Sequence, residues 1–231
     1  MTYKVHNRLG SGGFAVEATL ELSGLPYEMV LLPSTPDTPL PAEFAAVNPW
    51  RQVPVLETPE GRIITETAAI LFYLSDRHEE CRNGTTLRIG DTIAFYRWTV
   101  FMAVNIYEGI LRISYPDRYF ANDASGSQTT DPDDAAMTAA VRTAARRRVH
   151  DAFLKIEAEL QPDAFVTGPA LSPADFLFAM LYAWHNKQPD LPKCTWITEK
   201  VASHERINPI WHANFGHRLD EKWHDIRPLW A

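Results

Sequence analysis

The chain has 231 residues, of which 45% are hydrophobic and 22% charged, and this composition is typical of a globular protein with one large or two modest domains. Its net charge of −7 argues against a protein whose main task is to bind nucleic acid or an anionic membrane. The basic run Arg146-Arg147-Arg148 lies within a helical pattern, and we interpret it as a solvated helix face.

The cysteines and histidines indicate neither a disulfide framework nor a metal site. Cys81 and Cys194 form no CxxC pair, and the eight histidines lack ligand spacing, so we expect no metal. The chain start does not look like a signal peptide, and the most apolar segment, 98–107, is too short to span a membrane. We therefore expect a cytoplasmic protein.

The first third of the chain alternates strand and helix signals. Strands are predicted at 2–5 and 27–32, with a helix between them that ends at Gly24. A hairpin is predicted around Thr58-Pro59-Glu60-Gly61, followed by a helix over 65–74. The proline-rich stretch 34–41 is expected to be a loop, and 81–85 a linker.

Beyond residue 85 the apolar spacing becomes purely helical. One long helix is predicted over 93–113, a polar loop over 122–134, and a helix with one buried face from Val141 to Leu160. Ser172-Pro173-Ala174-Asp175 has the pattern of a capping box at the start of a core helix, so we expect Asp175 to be structural.

Two short motifs carry the chemical information. Pro54 interrupts a predicted strand, so it marks an edge, a bulge or a cis bond, and the main chain of Val53 is left able to pair with an extended ligand. Glu66 and Thr67 open the next helix, where free N–H groups and the helix dipole favour an anion. Together these pieces would suit a short anionic peptide.

This combination resembles the glutathione transferase superfamily, whose members carry a Val-Pro loop, a Glu-Ser or Glu-Thr pair and an Ala-Ile…Tyr-Leu helix. The matching residues are Val53-Pro54, Glu66-Thr67 and 69–74, and the box at 172–175 matches a further landmark. The resemblance implies a thioredoxin-like domain over 1–80 followed by an all-helical domain over 88–231. It also implies glutathione as co-substrate and a homodimer, whereas the acidic net charge predicts no nucleic-acid or membrane partner.

The resemblance further implies roles for the residues of these motifs. The Glu66 carboxylate would accept from the γ-glutamyl ammonium of glutathione, and the Thr67 hydroxyl would bind its carboxylate. Val53 would act through its backbone, which a cis bond at Pro54 exposes. Gln52 or Arg51 would neutralise the glycyl carboxylate.

Family members stabilise the glutathione thiolate from the first strand or the turn behind it, and Ser11 in Gly10-Ser11-Gly12-Gly13 is our candidate donor. Lowering a thiol pKa by about two units requires about 2.7 kcal/mol, which one hydrogen bond to a charged group can supply. Three alternatives stay open: Ser11 as a plain turn residue, backbone N–H groups of residues 12–14 as donors, and Asn7 as a loop residue that reaches the ligand. Tyr3 is expected in the core.

The second substrate is expected to be a small hydrophobic electrophile that lies between the domains. Candidate wall residues are Trp98, Phe101, Tyr107 and Tyr115, although aromatic residues on a long helix also suit a core. The predicted function is a glutathione transferase. The alternatives are a non-catalytic glutathione- or ligand-binding protein, and a glutathione-dependent reductase or peroxidase, against which the missing CxxC counts.

Overall fold

A four-stranded mixed sheet forms the first part of the fold, in the order β2-β1-β3-β4. The computed structural model describes residues 2–33, 40–79, 83, 87–119, 132–186 and 188–216. The strands are β1 (Tyr3–Asn7), β2 (Tyr27–Leu31), β3 (Val55–Glu57) and β4 (Ile63–Thr65). β1 pairs parallel to β2, with Tyr3 opposite Tyr27, and antiparallel to β3, with Val5 opposite Leu56. The predicted strand-helix-strand unit and hairpin are therefore confirmed.

Three helices accompany the sheet: α1 (Gly13–Ser23), α2 (Phe44–Val47) and α3 (Thr67–Arg77). α1 ends at Gly24, which is left-handed at φ 66° as a helix-terminating glycine should be. Apolar side chains of α1 and α3 pack on the sheet and bury a small core, formed by Tyr3, Val5, Val16, Leu20, Leu56, Ile70 and Leu74. The predicted loop at 34–41 lies largely outside the described residues.

The remaining described elements are helical. They are α4 (Thr92–Phe101), a π-helical segment (Met102–Tyr107), α5 (Glu108–Ser114), a 3₁₀ turn (Pro116–Tyr119), α6 (Pro132–Glu159), α7 (Pro173–His185), α8 (Pro192–Ser203) and α9 (Asn208–Phe215). The helix predicted over 93–113 is present, but its middle is a π-helix, in which the side-chain Nδ2 of Asn105 donates to the Phe101 carbonyl at 3.1 Å. The loop predicted over 122–134 is wrong at its end, because α6 already begins at Pro132, where a fixed φ suits a first helical turn.

α7 is the core helix of this part, and its first turn is the predicted capping box. The Asp175 carboxylate accepts from the Ser172 N–H at 2.8 Å, the Ser172 hydroxyl at 2.6 Å and the Val166 N–H at 2.8 Å. Burial raises the pKa of Asp175 to about 6, against the lowering effect of these bonds. The side chain is fully buried and linked to its own helix start, which supports the structural role predicted for it.

One apolar core joins the two parts, because Phe14, Ala15 and Leu71 of the first part pack into the helical cluster. The fold is thus a thioredoxin-like unit followed by an all-helical one, as predicted. The proposed boundaries at 80 and 88 stay a prediction, since most of the linker at 81–85 lies outside the described residues. None of the described helices is both long and apolar enough to cross a membrane.

Candidate active site

The turn between β1 and α1 begins at a buried asparagine. Asn7 is the last residue of β1 and is fully buried, so the prediction of a loop position for it is wrong: the strand runs two residues further than its apolar pattern. Its Oδ1 accepts from the Ser11 hydroxyl at 2.5 Å. Its Nδ2 is buried and has no hydrogen-bond partner among the described residues. A Cβ on Gly13 would lie 2.1 Å from Asn7 Cγ, so only glycine allows α1 to start this close to the strand.

Gly12 is the point where three other segments converge. A Cβ at this position would lie 2.7 Å from Tyr107 Oη, 2.8 Å from Thr67 Oγ1 and 3.0 Å from Pro54 Cδ. The Thr67 hydroxyl donates to the Gly12 carbonyl at 3.3 Å. The turn, the Val-Pro loop, the start of α3 and the π-helical segment therefore meet around one peptide unit.

The loop before β3 carries the peptide bond predicted to be non-trans, and Val53–Pro54 is cis. Asn48 organises this loop: its Nδ2 donates to the Gln52 carbonyl at 2.8 Å, and its Oδ1 accepts from the Trp50 N–H at 3.1 Å. Among the described residues, no hydrogen bond occupies the Val53 N–H or C=O. The main chain of Val53 is therefore available to a ligand.

Glu66 precedes α3 in an unusual backbone conformation, with φ 66° and ψ 113°. Its side chain makes no capping hydrogen bond to the helix, and its carbonyl accepts the first helical bond, from Ile70 at 2.9 Å. The first N–H groups of α3 therefore have no helical partner. A carboxylate and a helix N-terminus lie side by side at this point.

Tyr107 is the site residue whose position the sequence did not reveal. It ends the π-helical segment, and its phenol lies beside Gly12 and Thr67 rather than forming a purely apolar wall. Burial and the charge of Glu66 raise its pKa, so the phenol remains protonated. Its ring contacts Trp184 edge-on at 5.4 Å between centroids. A tyrosine in an apolar helix gives no sequence signal for this hydroxyl, because the π-helical turn decides its direction.

Two adjoining cavities contain most of the predicted site residues. The first, of about 480 Å³, is lined by all five predicted glutathione residues: Gln52, Val53, Pro54, Glu66 and Thr67. The second, of about 210 Å³, is lined by Ser11 and Tyr115, and Tyr107 lines both. Trp98 and Phe101 line neither cavity. Trp98 is only 6% exposed and, like Phe101, packs in the helical core.

Two residues distant in sequence bind the backbone N–H and the backbone carbonyl of Gly10. The Gly10 N–H donates to Asn214 Oδ1 of α9 at 3.0 Å, and the Gly10 carbonyl accepts from Trp184 Nε1 of α7 at 3.2 Å. The ring of Phe14, just after the turn, packs edge-on against those of Trp211 and Phe215, with 5.4 and 5.0 Å between ring centroids. The sequence analysis missed this clamp, because contacts across 174 and 204 residues leave no local pattern.

The described residues contain no group of three or more histidine, cysteine, aspartate or glutamate side chains placed to hold a metal. Cys194 is buried, and burial raises the pKa of its thiol. Cys81 lies outside the described residues.

Comparisons with known proteins agree with this fold. Residues 14–77 match the glutathione S-transferase N-terminal domain. A glutathione transferase homologue from Sulfitobacter, solved with bound glutathione, superposes with a TM-score of 0.73 at 16% identity, over 93% of this chain and 99% of that one. Residues 14–77 thus match this domain family, and the chain shares the fold of the solved glutathione transferases.

Two further proteins are similar to this chain. The glutathione S-transferase from Xylella fastidiosa superposes with a TM-score of 0.71 at 20% identity, over 92% of this chain and 98% of that one. The uncharacterized GST-like protein YncG of Escherichia coli is 29% identical over 117 residues, 50% of this chain. That match spans only 56% of YncG, about half its length.

Proposed function

We propose that the protein is a glutathione transferase that activates the glutathione thiol for attack on an electrophile. One observation carries the proposal: the five residues predicted to bind glutathione line a single cavity, and the cavity with Ser11 adjoins it. Glutathione and solvent-exposed thiols are kept reduced in the cytoplasm, which is the compartment we propose.

Glutathione would lie along the Val53 main chain with its γ-glutamyl end on Glu66. The Glu66 carboxylate would accept from the ammonium group, and the free N–H groups at the start of α3 would bind the adjacent carboxylate. The Thr67 hydroxyl donates to the Gly12 carbonyl, so we propose that the main-chain N–H of Thr67, rather than its hydroxyl, binds that carboxylate. The glycyl end would reach Gln52 or Arg51.

The thiol would then lie near Ser11. Its proton leaves to solvent, the sulfur forms a bond to the electrophilic carbon, and the leaving group departs with its electron pair. A half-turn of the Asn7 amide would let Nδ2 donate to Ser11 Oγ and release the hydroxyl proton for the thiolate. The backbone N–H groups of residues 12–14 are the rival donors.

The Ser11→Ala variant tests this assignment, with Ser203→Ala on an exposed helix end as the matched control. Loss of the hydroxyl should raise the pKa of bound glutathione by about one to two units and lower kcat/KM for conjugation by about 10- to 100-fold. Thiolate absorbance against pH and conjugation rates measure the two effects. An unchanged pKa in Ser11→Ala would assign the thiolate to the backbone donors.

A non-catalytic glutathione-binding protein is the second candidate, and the Ser11 hydroxyl bond to Asn7 favours it, because a hydroxyl bound there does not serve a thiolate. Calorimetry that detects glutathione binding without any lowering of its thiol pKa would select this candidate. In either case Glu66→Gln should weaken glutathione binding. Unchanged affinity in Glu66→Gln, or no binding by the wild type, would contradict the whole assignment.

We also propose a homodimer and the domain boundaries at 80 and 88. Three apolar side chains on α4 and the π-helical segment face solvent in the monomer: Ile93 at 78%, Val100 at 47% and Val104 at 62% exposure. Their spacing of seven and four residues puts them on one helix face, which a second copy would cover.

A further inference from the structure

Tyr107 lies on the wall between the two cavities of the site. Within the described lining, the residues that border both cavities are Gln52, Val53, Tyr107 and Leu111. Val53 and Leu111 present apolar side chains, and Gln52 is proposed to reach the glycyl end of glutathione. Tyr107 is thus the residue by which the all-helical part places a hydroxyl on this shared wall.

Glutathione bound as proposed above, on which this inference rests, must pass this wall. Its γ-glutamyl end would lie on Glu66 in the first cavity, whereas its thiol would lie near Ser11 in the second. The cysteinyl residue of glutathione therefore crosses from one cavity to the other. Tyr107 Oη lies 2.7 Å from the position that a Cβ on Gly12 would take, and Gly12 directly follows Ser11. The phenol therefore lies close to the place proposed for the sulfur.

The chemistry of this phenol suits a hydrogen-bond donor. Burial, followed by the charge of Glu66, raises the pKa of Tyr107, so the hydroxyl keeps its proton. Its polar neighbour, the Thr67 hydroxyl, donates its own proton to the Gly12 carbonyl at 3.3 Å. A thiolate accepts more strongly than a neutral hydroxyl, because hydrogen bonds to a charged group are about twice as strong as neutral ones. The Tyr107 proton would therefore turn to the sulfur when the thiol ionises.

We propose that Tyr107 is a catalytic residue that donates a hydrogen bond to the glutathione thiolate from the all-helical part. Ser11 or the backbone N–H groups of residues 12–14 would hold the same sulfur from the first part. The thiol proton leaves to solvent, the phenol keeps its own proton, and no bond to Tyr107 forms or breaks. Because each part supplies a donor, the site is complete only when the two parts pack together.

Glutathione and S-methylglutathione provide a matched pair of ligands, because the sulfur of the second cannot ionise. Tyr107→Phe keeps the ring that contacts Trp184 and removes only the oxygen. We expect the variant to raise the pKa of bound glutathione by about one to two units, since it loses one hydrogen bond to a charged group. The affinity for S-methylglutathione should stay unchanged. Thiolate absorbance against pH and calorimetry measure the two quantities.

Tyr119→Phe is the matched control. Tyr119 also lies in the all-helical part, but its hydroxyl donates to Glu108 Oε1 at 2.8 Å and it lines a different cavity. This variant should leave the pKa of bound glutathione and both affinities unchanged. A raised thiol pKa in Tyr107→Phe alone supports the inference. Equal weakening of both ligands by Tyr107→Phe, with the thiol pKa unchanged, would show that the phenol only shapes the cavity and would overturn the inference.

The wild type separates this inference from the proposed function. If the wild type lowers the thiol pKa and Tyr107→Phe lowers it equally, the inference is wrong and the proposed transferase function stands. If the wild type binds glutathione without lowering its thiol pKa, or does not bind it, both are wrong. The pH profile of kcat/KM provides a second readout, and in Tyr107→Phe it should move to higher pH by the same amount as the thiol pKa.

Discussion

At the residue scale, Gly12 lies at the point where the segments of the proposed site meet. Its backbone is ordinary, with φ −57°, so the glycine is required by its neighbours and not by its conformation. Pro54, Thr67 and Tyr107 each come within 3.0 Å of the place where a Cβ would stand.

Gly12→Ala should therefore destabilise the protein by about 1–3 kcal/mol, because the added methyl group overpacks the site. It should also weaken glutathione binding. Tyr107→Phe removes the oxygen nearest to that methyl group, so the double variant should regain part of the stability. Chemical denaturation of the two single variants and the double variant measures this coupling, and strictly additive effects would contradict the proposed contact.

Glu17 of α1 is a second residue with a testable property, because its environment raises the pKa of its carboxyl group. Burial, with the nearby charge of Glu21 in second place, raises its pKa to about 7, and a hydrogen bond to Asn214 partly opposes the shift. The folded state therefore holds a proton that the unfolded chain releases near its ordinary pKa of 4.5.

Glu17→Gln keeps an acceptor for Asn214 and removes the charge. Below about pH 4.5 the carboxyl is protonated in both states, so the wild type and the variant should respond alike. As the pH rises from 4.5 towards 7, the unfolded chain ionises while the folded wild type keeps its proton, so the wild type loses stability and the variant should become relatively more stable. Thermal unfolding across this pH range measures the difference, and a gap that stays constant with pH would show that Glu17 does not titrate as described.

At the element scale, α9 fixes the turn of the first part through Asn214. The orientation of this amide is set by chemistry: the Gly10 N–H can only donate to its oxygen, and the Ile210 carbonyl, 2.9 Å from Nδ2, can only accept from its nitrogen. Trp184 completes the clamp from α7.

Asn214→Ala should leave the buried Gly10 N–H without a partner, at a cost of about 1–3 kcal/mol. Because Ser11 follows Gly10, we expect kcat for conjugation to fall more than glutathione affinity. Asn208→Ala is the control, since Asn208 also lies on α9 and, within the described part of the chain, its side chain binds only the Ala202 carbonyl. Equal losses of stability and equal kinetics in the two variants would contradict a positioning role for Asn214.

At the scale of the whole molecule, the exposed apolar face of α4 and the π-helical segment is the feature to explain. The proposed dimer would cover Val100 and Val104, which lie four residues apart on that face.

Val100→Lys combined with Val104→Lys should shift the protein towards the monomer, because two charges would have to be buried unpaired. Sedimentation measures the mass, and Lys155→Glu on α6 tests whether a charge change alone has the same effect. A wild-type monomer at assay concentrations would contradict the proposed dimer.

The fold class, the strand and helix order of the first part and the residues of the Val-Pro loop and the α3 start could all be predicted from the sequence. These features are local: a proline in a strand, a glycine after a helix and a capping box at 172–175 each act within a few residues. The assignment of five residues to glutathione rested on the resemblance of two such local motifs to the glutathione transferase superfamily, and the cavity that these residues share follows from the neighbouring positions of β3, β4 and α3.

The remaining features depend on how distant parts of the chain pack together. The direction of the Tyr107 hydroxyl depends on a π-helical turn, and the hydrogen bonds to Gly10 join residues more than 170 positions apart. The second cavity collects Arg8, Arg51 and Arg118 from three separate segments. For the same reason, Trp98 and Phe101 lie in the core and not at the site. Periodicity shows that a helix is apolar, but packing against α3, α6 and α7 decides which aromatic side chains reach the site.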